Sequence, residues 1–271
     1  MRRVILTSTS RIRSLERMHA SSTFIAKIHA YVRGTRATRR GAVPSLDAAL
    51  GTHKEYPRFP RIALPAPGAF PMPLHEAMRR RASYFESGLE RPLSPAELGT
   101  LLGNALGMRE DSVRRHYPSG GALFPIETYL IGTVLEGHPF GAFHYHPKAH
   151  ALEFLWEVPE RRMDDILRTF GVPLPPVLVA FTGVWGRASV RYGDFAYLLG
   201  LLEAGHMAQN ILLAATALGI GGRPVAGCDD AILAQTLDLD ERTEQPVYSI
   251  ALSPNASVRS GKALSPEGMF E

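Results

Sequence analysis

Apolar positions recur with helical spacing most persistently between Val190 and Asp230. Leu198, Leu201, Leu202, Met207, Ile211, Leu212, Ala215 and Leu218 fall on more than one face, which predicts a long helix buried within a domain or at a subunit interface. Gly200, Ala204, Gly205 and Ala208 are small enough to admit another backbone. Asp194 is placed to cap the start of this helix and Gly219 to end it. The run Gly221-Gly222-Arg223-Pro224-Val225-Ala226-Gly227 then reads as a loop with accessible backbone N–H groups, and Asp229 as the cap of a following helix.

The same reading divides the rest of the chain. Ser94-Pro95-Ala96-Glu97 is a capping box with proline at the first helical position, and Leu98, Leu101, Leu102 and Ala105 line one face as far as Gly107. Glu127 to Val134 reads as a strand, Ala142 to Trp156 as a hairpin turning at PKAH, and Glu160 to Phe170 as a short helix. Pro176 to Trp185 and Val247 to Leu252 are two more strands. Few of these follow βαβ alternation, so the pattern predicts an α+β fold with a mainly antiparallel sheet. Upstream, Ser14 to Val32 has amphipathic helical spacing, and the proline-rich stretch Gly41 to Pro73 reads as extended chain. These signals place a basic, proline-rich extension at residues 1–73 and one domain at residues 74–271.

Composition changes this picture in two places. The 271 residues, 45% hydrophobic and 21% charged, suit one sizeable soluble domain, and no uninterrupted apolar run reaches the roughly 18–20 residues of a membrane span. The single cysteine, Cys228, excludes an intramolecular disulfide and makes a reducing cytoplasm the default. The charge is uneven: residues 1–40 hold ten Lys/Arg against one acid, Glu16, so the arm carries +9 and the remainder −5. The arm is open to three readings: a solvated extension, an organelle transit peptide, or an electrostatic grip on an acidic peptide. It shows no nucleic-acid-binding pattern.

Several features are candidates for chemistry, each with a plain structural alternative. Pro118-Ser119-Gly120-Gly121 is a turn signal, and equally a backbone cradle for a planar ring or a phosphate. Arg79, Arg80 and Arg81 are either a solvated helix face or a phosphate grip. His144, His146 and His150 have spacing that would allow a metal, but no nearby carboxylate or cysteine in the sequence completes the set, so no metal is expected. Arg191-Tyr192 is either a packing pair or a cation–phenol pair in which the guanidinium favours negative charge on the phenol oxygen. No Walker A, Rossmann or G-x-S-x-G pattern is present.

Four motifs in order resemble the nitroreductase-like FMN oxidoreductases, and among them the SagB-type azoline dehydrogenases of ribosomal-peptide biosynthesis. They are RRRAS at Arg79 to Ser83, PSGGALFPIETYL at Pro118 to Leu130, the hairpin FHYHPKAHAL, and RYGDFAYLLGLLEAGHMAQNILLAATALGIG from Arg191. The segment RPVAGCDD also looks like the family's loop beside the flavin ring. The resemblance covers roughly Leu74 to Ser253 and implies a nitroreductase-like fold, FMN as cofactor, and a homodimer with the long helix at its interface. It implies that Arg79, Arg81 and Ser83 bind the FMN phosphate or pyrimidine edge, and that Pro118, Ser119, Gly120 and Gly121 lie along the ring and ribityl chain. Gly227, with the backbone of Val225 and Ala226, would sit near flavin N5, and Arg259 or Lys262 would reach the phosphate.

The family carries Lys-Tyr where this chain has Arg191-Tyr192. Arginine stays protonated, so the resemblance leaves Tyr192 as the proton acceptor with Arg191 assisting by its charge. The implied reaction is oxidation of thiazolines or oxazolines to thiazoles or oxazoles in a precursor peptide, with dioxygen as final acceptor. A cyclodehydratase or other synthetase subunit would be a partner. An NAD(P)H-dependent nitroreductase or flavin reductase, and a non-catalytic scaffold subunit, are the competing readings.

Overall fold

Strands of alternating polarity assemble into one sheet between two helical layers. The computed structural model describes residues 53–83, 92–110, 113–167 and 174–253, together with Lys27 and Tyr31. The strands are β1 (Arg61–Ala63), β2 (Ile126–Gly132), β3 (Gly141–His146), β4 (Ala151–Glu157), β5 (Val177–Val184), β6 (Gly221–Val225) and β7 (Glu244–Ser253). They run in the order β1-β4-β3-β2-β5-β7-β6, each antiparallel to its neighbours. The helices are α1 (Leu74–Arg80), α2 (Pro95–Leu106), α3 (Arg161–Leu167), α4 (Gly186–Tyr192), α5 (Phe195–Ala217) and α6 (Asp230–Thr236).

The period of two assigns each strand residue to a layer. Ile126, Leu130, Val177, Val179 and Phe181 face α2 and α5, joining Leu98, Leu102, Met207 and Ile211 in the larger core. Tyr129, Ile131, Leu178 and Ala180 face the opposite side, where Met163 and Ile166 of α3 and Leu233 of α6 cover them. The helix after Ser94 forms as its capping box requires: the Glu97 N–H donates to Ser94 Oγ at 3.3 Å and the Ser94 N–H to Glu97 Oε2 at 2.9 Å. Such a cap contributes about 1 kcal/mol.

Three expectations need correction. Gly221 to Val225 is an edge strand paired with β7, not a loop; Pro224 is tolerated there because an edge strand has a side with no neighbour to bond. Asp194 makes no side-chain cap to α5; its Oδ2 instead accepts the Tyr31 hydroxyl at 2.5 Å. The ordered sheet also begins before Leu74, because β1 pairs with β4 and Lys54 and Tyr56 bond to the strands. Elsewhere the differences are small: α3 ends at Leu167, and the expected residues 168–170 lie outside the described part. Apart from Lys27 and Tyr31, which are helical, the expected helix from Ser14 to Val32 also lies outside it.

Helix α5 is long and apolar enough to cross a bilayer, yet here it is a core element. Gly219, at φ 70°, stops it in the left-handed conformation that glycine adopts cheaply. Its C-terminal half is buried almost all round, whereas Tyr197, Leu201 and Leu202 in the N-terminal half are exposed. The predicted buried helix is thus core along its C-terminal half and carries exposed apolar side chains along its N-terminal half.

Candidate active site

The segment from Pro118 to Pro125 is a strained turn. Gly120–Ala122 forms one 3₁₀ turn, and Gly121, Ala122 and Phe124 have φ of 68°, 55° and 46°. For a residue with a Cβ the left-handed region costs about 1–2 kcal/mol, so something must hold Ala122 and Phe124 there. Phe124 is buried, with its ring 5.8 Å from that of Tyr117 and 4.7 Å from the Arg115 guanidinium. Its N–H donates to Ser119 Oγ at 2.9 Å and its carbonyl accepts from Arg187 Nη1 at 3.1 Å.

Helix α4 delivers Arg191 and Tyr192 to this turn. A Cβ added to Gly121 would lie 2.7 Å from Tyr192 Oη and 3.1 Å from Arg191 Nη1, so the phenol and the guanidinium both rest on bare main chain. The guanidinium carbon is 5.6 Å from the Tyr192 ring centre, and the buried Arg191 Nε has no hydrogen-bond partner among the described residues. The two candidate motifs thus meet, for a physical reason that the sequence alone leaves open. A cleft of about 640 Å³, lined by Arg109, Arg114, Arg115, His116, Ser119 and Gly121 among others, opens beside them. Its size is within the range of small-molecule sites.

The other candidates gather elsewhere. Arg79 is exposed at the end of α1 and Arg81 follows it half-buried; Arg80 between them pairs with Glu76. Ser83 forms a parallel bridge with Gly222 of β6, the strand that leads into Val225, Ala226 and Gly227. Arg259 and Lys262 lie outside the described residues. The two groups mark different stretches of α5: Gly120 packs on Leu199, Gly222 on Leu212. At 1.5 Å per residue those contacts are about 20 Å apart.

On the opposite face of the sheet lies a polar cluster that sequence reasoning missed. Arg187 Nη1 contacts Glu127 Oε1 at 2.5 Å, and His144 sits between Glu127 Oε2 at 3.0 Å and Glu153 Oε2 at 2.9 Å. Arg61 closes the chain on Glu153 at 2.7 Å. Charge therefore alternates across β2, β3, β4 and β1, starting from the helix that carries Tyr192. Burial opposes ionisation of Glu127, but the His144 hydrogen bond and the charges of Arg187 and His144 outweigh it and hold its carboxyl well below the usual range. Burial likewise opposes charge on His144, and its two carboxylate partners win, raising its pKa. Glu153 is held low against burial by His144 and Arg61.

A second branch runs from Lys54, whose Nζ contacts Glu244 Oε2 at 2.7 Å and whose N–H donates to Glu127 Oε1 at 2.6 Å. The carboxylates that meet His144 come from neighbouring strands, so residue spacing could not show them; an acid inside each of two apolar strands was the available signal.

The other histidines have separate partners. His150 bonds the Tyr145 hydroxyl and the Pro65 carbonyl. His53, Glu55 and His146 bring donor atoms within 4.8 Å of one another. His146 Nδ1 accepts the Ala149 N–H at 3.0 Å, which puts the ring proton of the neutral imidazole on Nε2, the atom facing Glu55. A metal would need that lone pair, so the tautomer opposes metal binding at this cluster.

Fold and site together define a class. Residues 89–252 match the Nitroreductase family, and the chain belongs to it. Within this class it is 33% identical over 166 residues to the microcin B17-processing protein McbC of Escherichia coli, covering 57% of this chain and 60% of that protein. It is 29% identical over 187 residues to the trifolitoxin-processing protein TfxB of Rhizobium leguminosarum bv. trifolii, covering 61% and 50%. The chain therefore spans between half and three-fifths of these relatives' lengths. Among solved structures, the E. coli microcin synthetase McbBCD complex with truncated pro-MccB17 bound matches with TM-score 0.58 and 30% identity, over 64% of this chain and 68% of that one. A nitroreductase-like structure from Ralstonia eutropha JMP134, at 23% identity and TM-score 0.59, supports the fold over 77% of this chain and 93% of that one.

Proposed function

We propose that this chain is an FMN-dependent dehydrogenase that oxidises thiazoline or oxazoline rings to thiazoles or oxazoles in a ribosomally made peptide. The observation that carries this reading is the Tyr192 oxygen seated over Gly121, with Arg191 beside it, in a chain similar to two proteins named for processing peptides. Nitroreductase-family proteins typically bind FMN. The residues here fit such a group: the half-buried glycine turn lines an open cleft, and the buried Arg191 Nε beside it has no hydrogen-bond partner among the described residues.

When bound, FMN would supply the two-electron acceptor, with dioxygen as the proposed final oxidant. Arg79, Arg81 and Ser83 are the proposed contacts to the FMN phosphate or pyrimidine edge, and Arg259 or Lys262 is proposed to reach the phosphate. Val225, Ala226 and Gly227 would line one part of the ring and Pro118, Ser119, Gly120 and Gly121 another. The Tyr192 oxygen is the proposed acceptor of the azoline ring proton, with the Arg191 guanidinium beside it to compensate the negative charge of that step.

The separation of about 20 Å between the two groups along α5 favours a homodimer, in which the glycine turn of one subunit completes the phosphate side of the other. Tyr197, Leu201 and Leu202 supply exposed apolar surface for that contact. The peptide, and a synthetase subunit that prepares its azolines, are the proposed partners; the basic arm of residues 1–40 would hold an acidic leader. If so, leader affinity falls with salt, and deleting residues 1–40 weakens it; unchanged affinity on truncation would sink that role. For the activity, FMN-loaded protein and an azoline peptide are mixed in air without NAD(P)H. Loss of two hydrogens per ring by mass spectrometry is expected. Flavin bleaching by NAD(P)H with no ring oxidation would favour the nitroreductase reading instead.

A further inference from the structure

The strained turn is met at two points by one face of α4. Arg187 and Arg191 stand four residues apart on that helix, so their side chains emerge on the same side, one turn apart. Arg191 meets the turn at Gly121, where an added Cβ would lie 3.1 Å from its Nη1. Arg187 meets it at Phe124, whose carbonyl accepts from Arg187 Nη1 at 3.1 Å. Phe124 sits at φ 46°, a conformation that persists only where its surroundings hold it, and a bond to its carbonyl is one such hold.

The same Arg187 nitrogen contacts Glu127 Oε1 at 2.5 Å, and the Lys54 N–H reaches that oxygen at 2.6 Å. Glu127 lies on β2, the central strand of the sheet, with its other carboxyl oxygen 3.0 Å from His144. Arg187 is itself buried, at 4% exposure, and a buried guanidinium needs a counter-charge. Here the counter-charge is fixed in the sheet, so the ion pair ties α4 to β2 and to the turn together. Glu127 also offsets one of two like charges that would otherwise repel along this face of the helix.

We propose that Arg187 is a positioning residue for the reaction proposed above, on which reading it rests: tied to Glu127 and the Phe124 carbonyl, it fixes the setting of α4 that lays Arg191 and the Tyr192 oxygen over Gly121. The test is Arg187→Lys, which keeps a charge for Glu127 but is one bond shorter and loses the planar fork. In FMN-loaded protein its kcat for azoline oxidation should fall roughly 10²-fold, as for a displacement of about 1 Å, with KM for the peptide little changed. The same substitution in a Tyr192→Phe background should cost almost nothing, because the oxygen it positions is gone. A residue that merely supports the fold would cost the same in both backgrounds.

Independently of turnover, amide exchange in the full-length chain, read on protease fragments by mass spectrometry, should quicken over residues 118–125 and keep the wild-type rate over β5. A wild-type kcat in Arg187→Lys, an equal loss in the Tyr192→Phe background, or unchanged exchange over the turn overturns the proposal. If Arg187→Lys does not fold, Arg187→Met/Glu127→Gln, which removes both charges of the pair, goes through the same comparisons. If wild type oxidises no azoline, the functional reading fails, while the exchange comparison still decides whether Arg187 holds the turn.

Discussion

In the proposed reaction, Arg191 and Tyr192 divide between them what a neutral lysine would combine with its tyrosine. Because the guanidinium stays charged, the proposed proton transfer rests on the phenol alone. Tyr192→Phe should therefore lower azoline oxidation by a factor of about 10² or more with FMN binding retained, as read by turnover beside flavin titration. Glu203→Gln tests what the carboxyl buried in α5 costs the fold. A carboxyl whose folded pKa is raised from 4.5 to about 7 destabilises the fold increasingly as pH climbs through that window. The variant should thus be more stable than wild type at pH 8, by an order of 2–3 kcal/mol in urea denaturation. At this scale the sequence named Tyr192 and the glycine turn as separate candidates, and the structure brings them together. The sequence could not supply the burial of Glu203, which looks like one polar interruption in an apolar helix.

Among the elements, the turn and α4 form one unit. Gly121→Ala puts a Cβ 2.7 Å from the Tyr192 oxygen at a φ of 68°, so it should cost about 1–2 kcal/mol in stability and most of the activity. The Gly121→Ala/Tyr192→Phe double variant should be barely slower than Tyr192→Phe alone, since both remove the same oxygen from its seat.

Across the sheet, His144→Leu leaves Glu127 and Glu153 buried without their shared partner, at a cost of about 3–5 kcal/mol. The sign of its pH dependence follows from the shifts. His144, raised, contributes fully below 6.5 and loses that contribution as pH rises through its folded value. Glu127 and Glu153, lowered, contribute above 4.5 and lose it as pH falls through theirs. The loss in His144→Leu should therefore be greatest between these limits, as denaturation across pH will show. The strands themselves were legible because alternation on β2 and β5 is local, as was the box at Ser94. The alignment of Glu127, His144 and Glu153 was not, because register between strands creates it. β6 was unreadable as a strand: Gly221, Gly222 and Pro224 disfavour one, and only pairing with β7 makes it one.

For the molecule as a whole, the surface of α5 ties architecture to activity. Leu201→Glu together with Leu202→Glu should convert the proposed dimer to monomer in sedimentation and release FMN, whereas an unchanged mass would count against a shared site. The fold class and the two clusters of candidate residues could be read from motif order. Their separation along α5 could not, since it needs the contacts of Leu199 and Leu212. Everything proposed converges on ring oxidation by a bound flavin. The most direct measurement mixes the FMN-loaded protein with a thiazoline-containing peptide in air, without NAD(P)H, and follows peptide mass. Loss of two hydrogens per ring, abolished in Tyr192→Phe, is the predicted result; an unchanged mass beside rapid flavin reduction by NAD(P)H would contradict it.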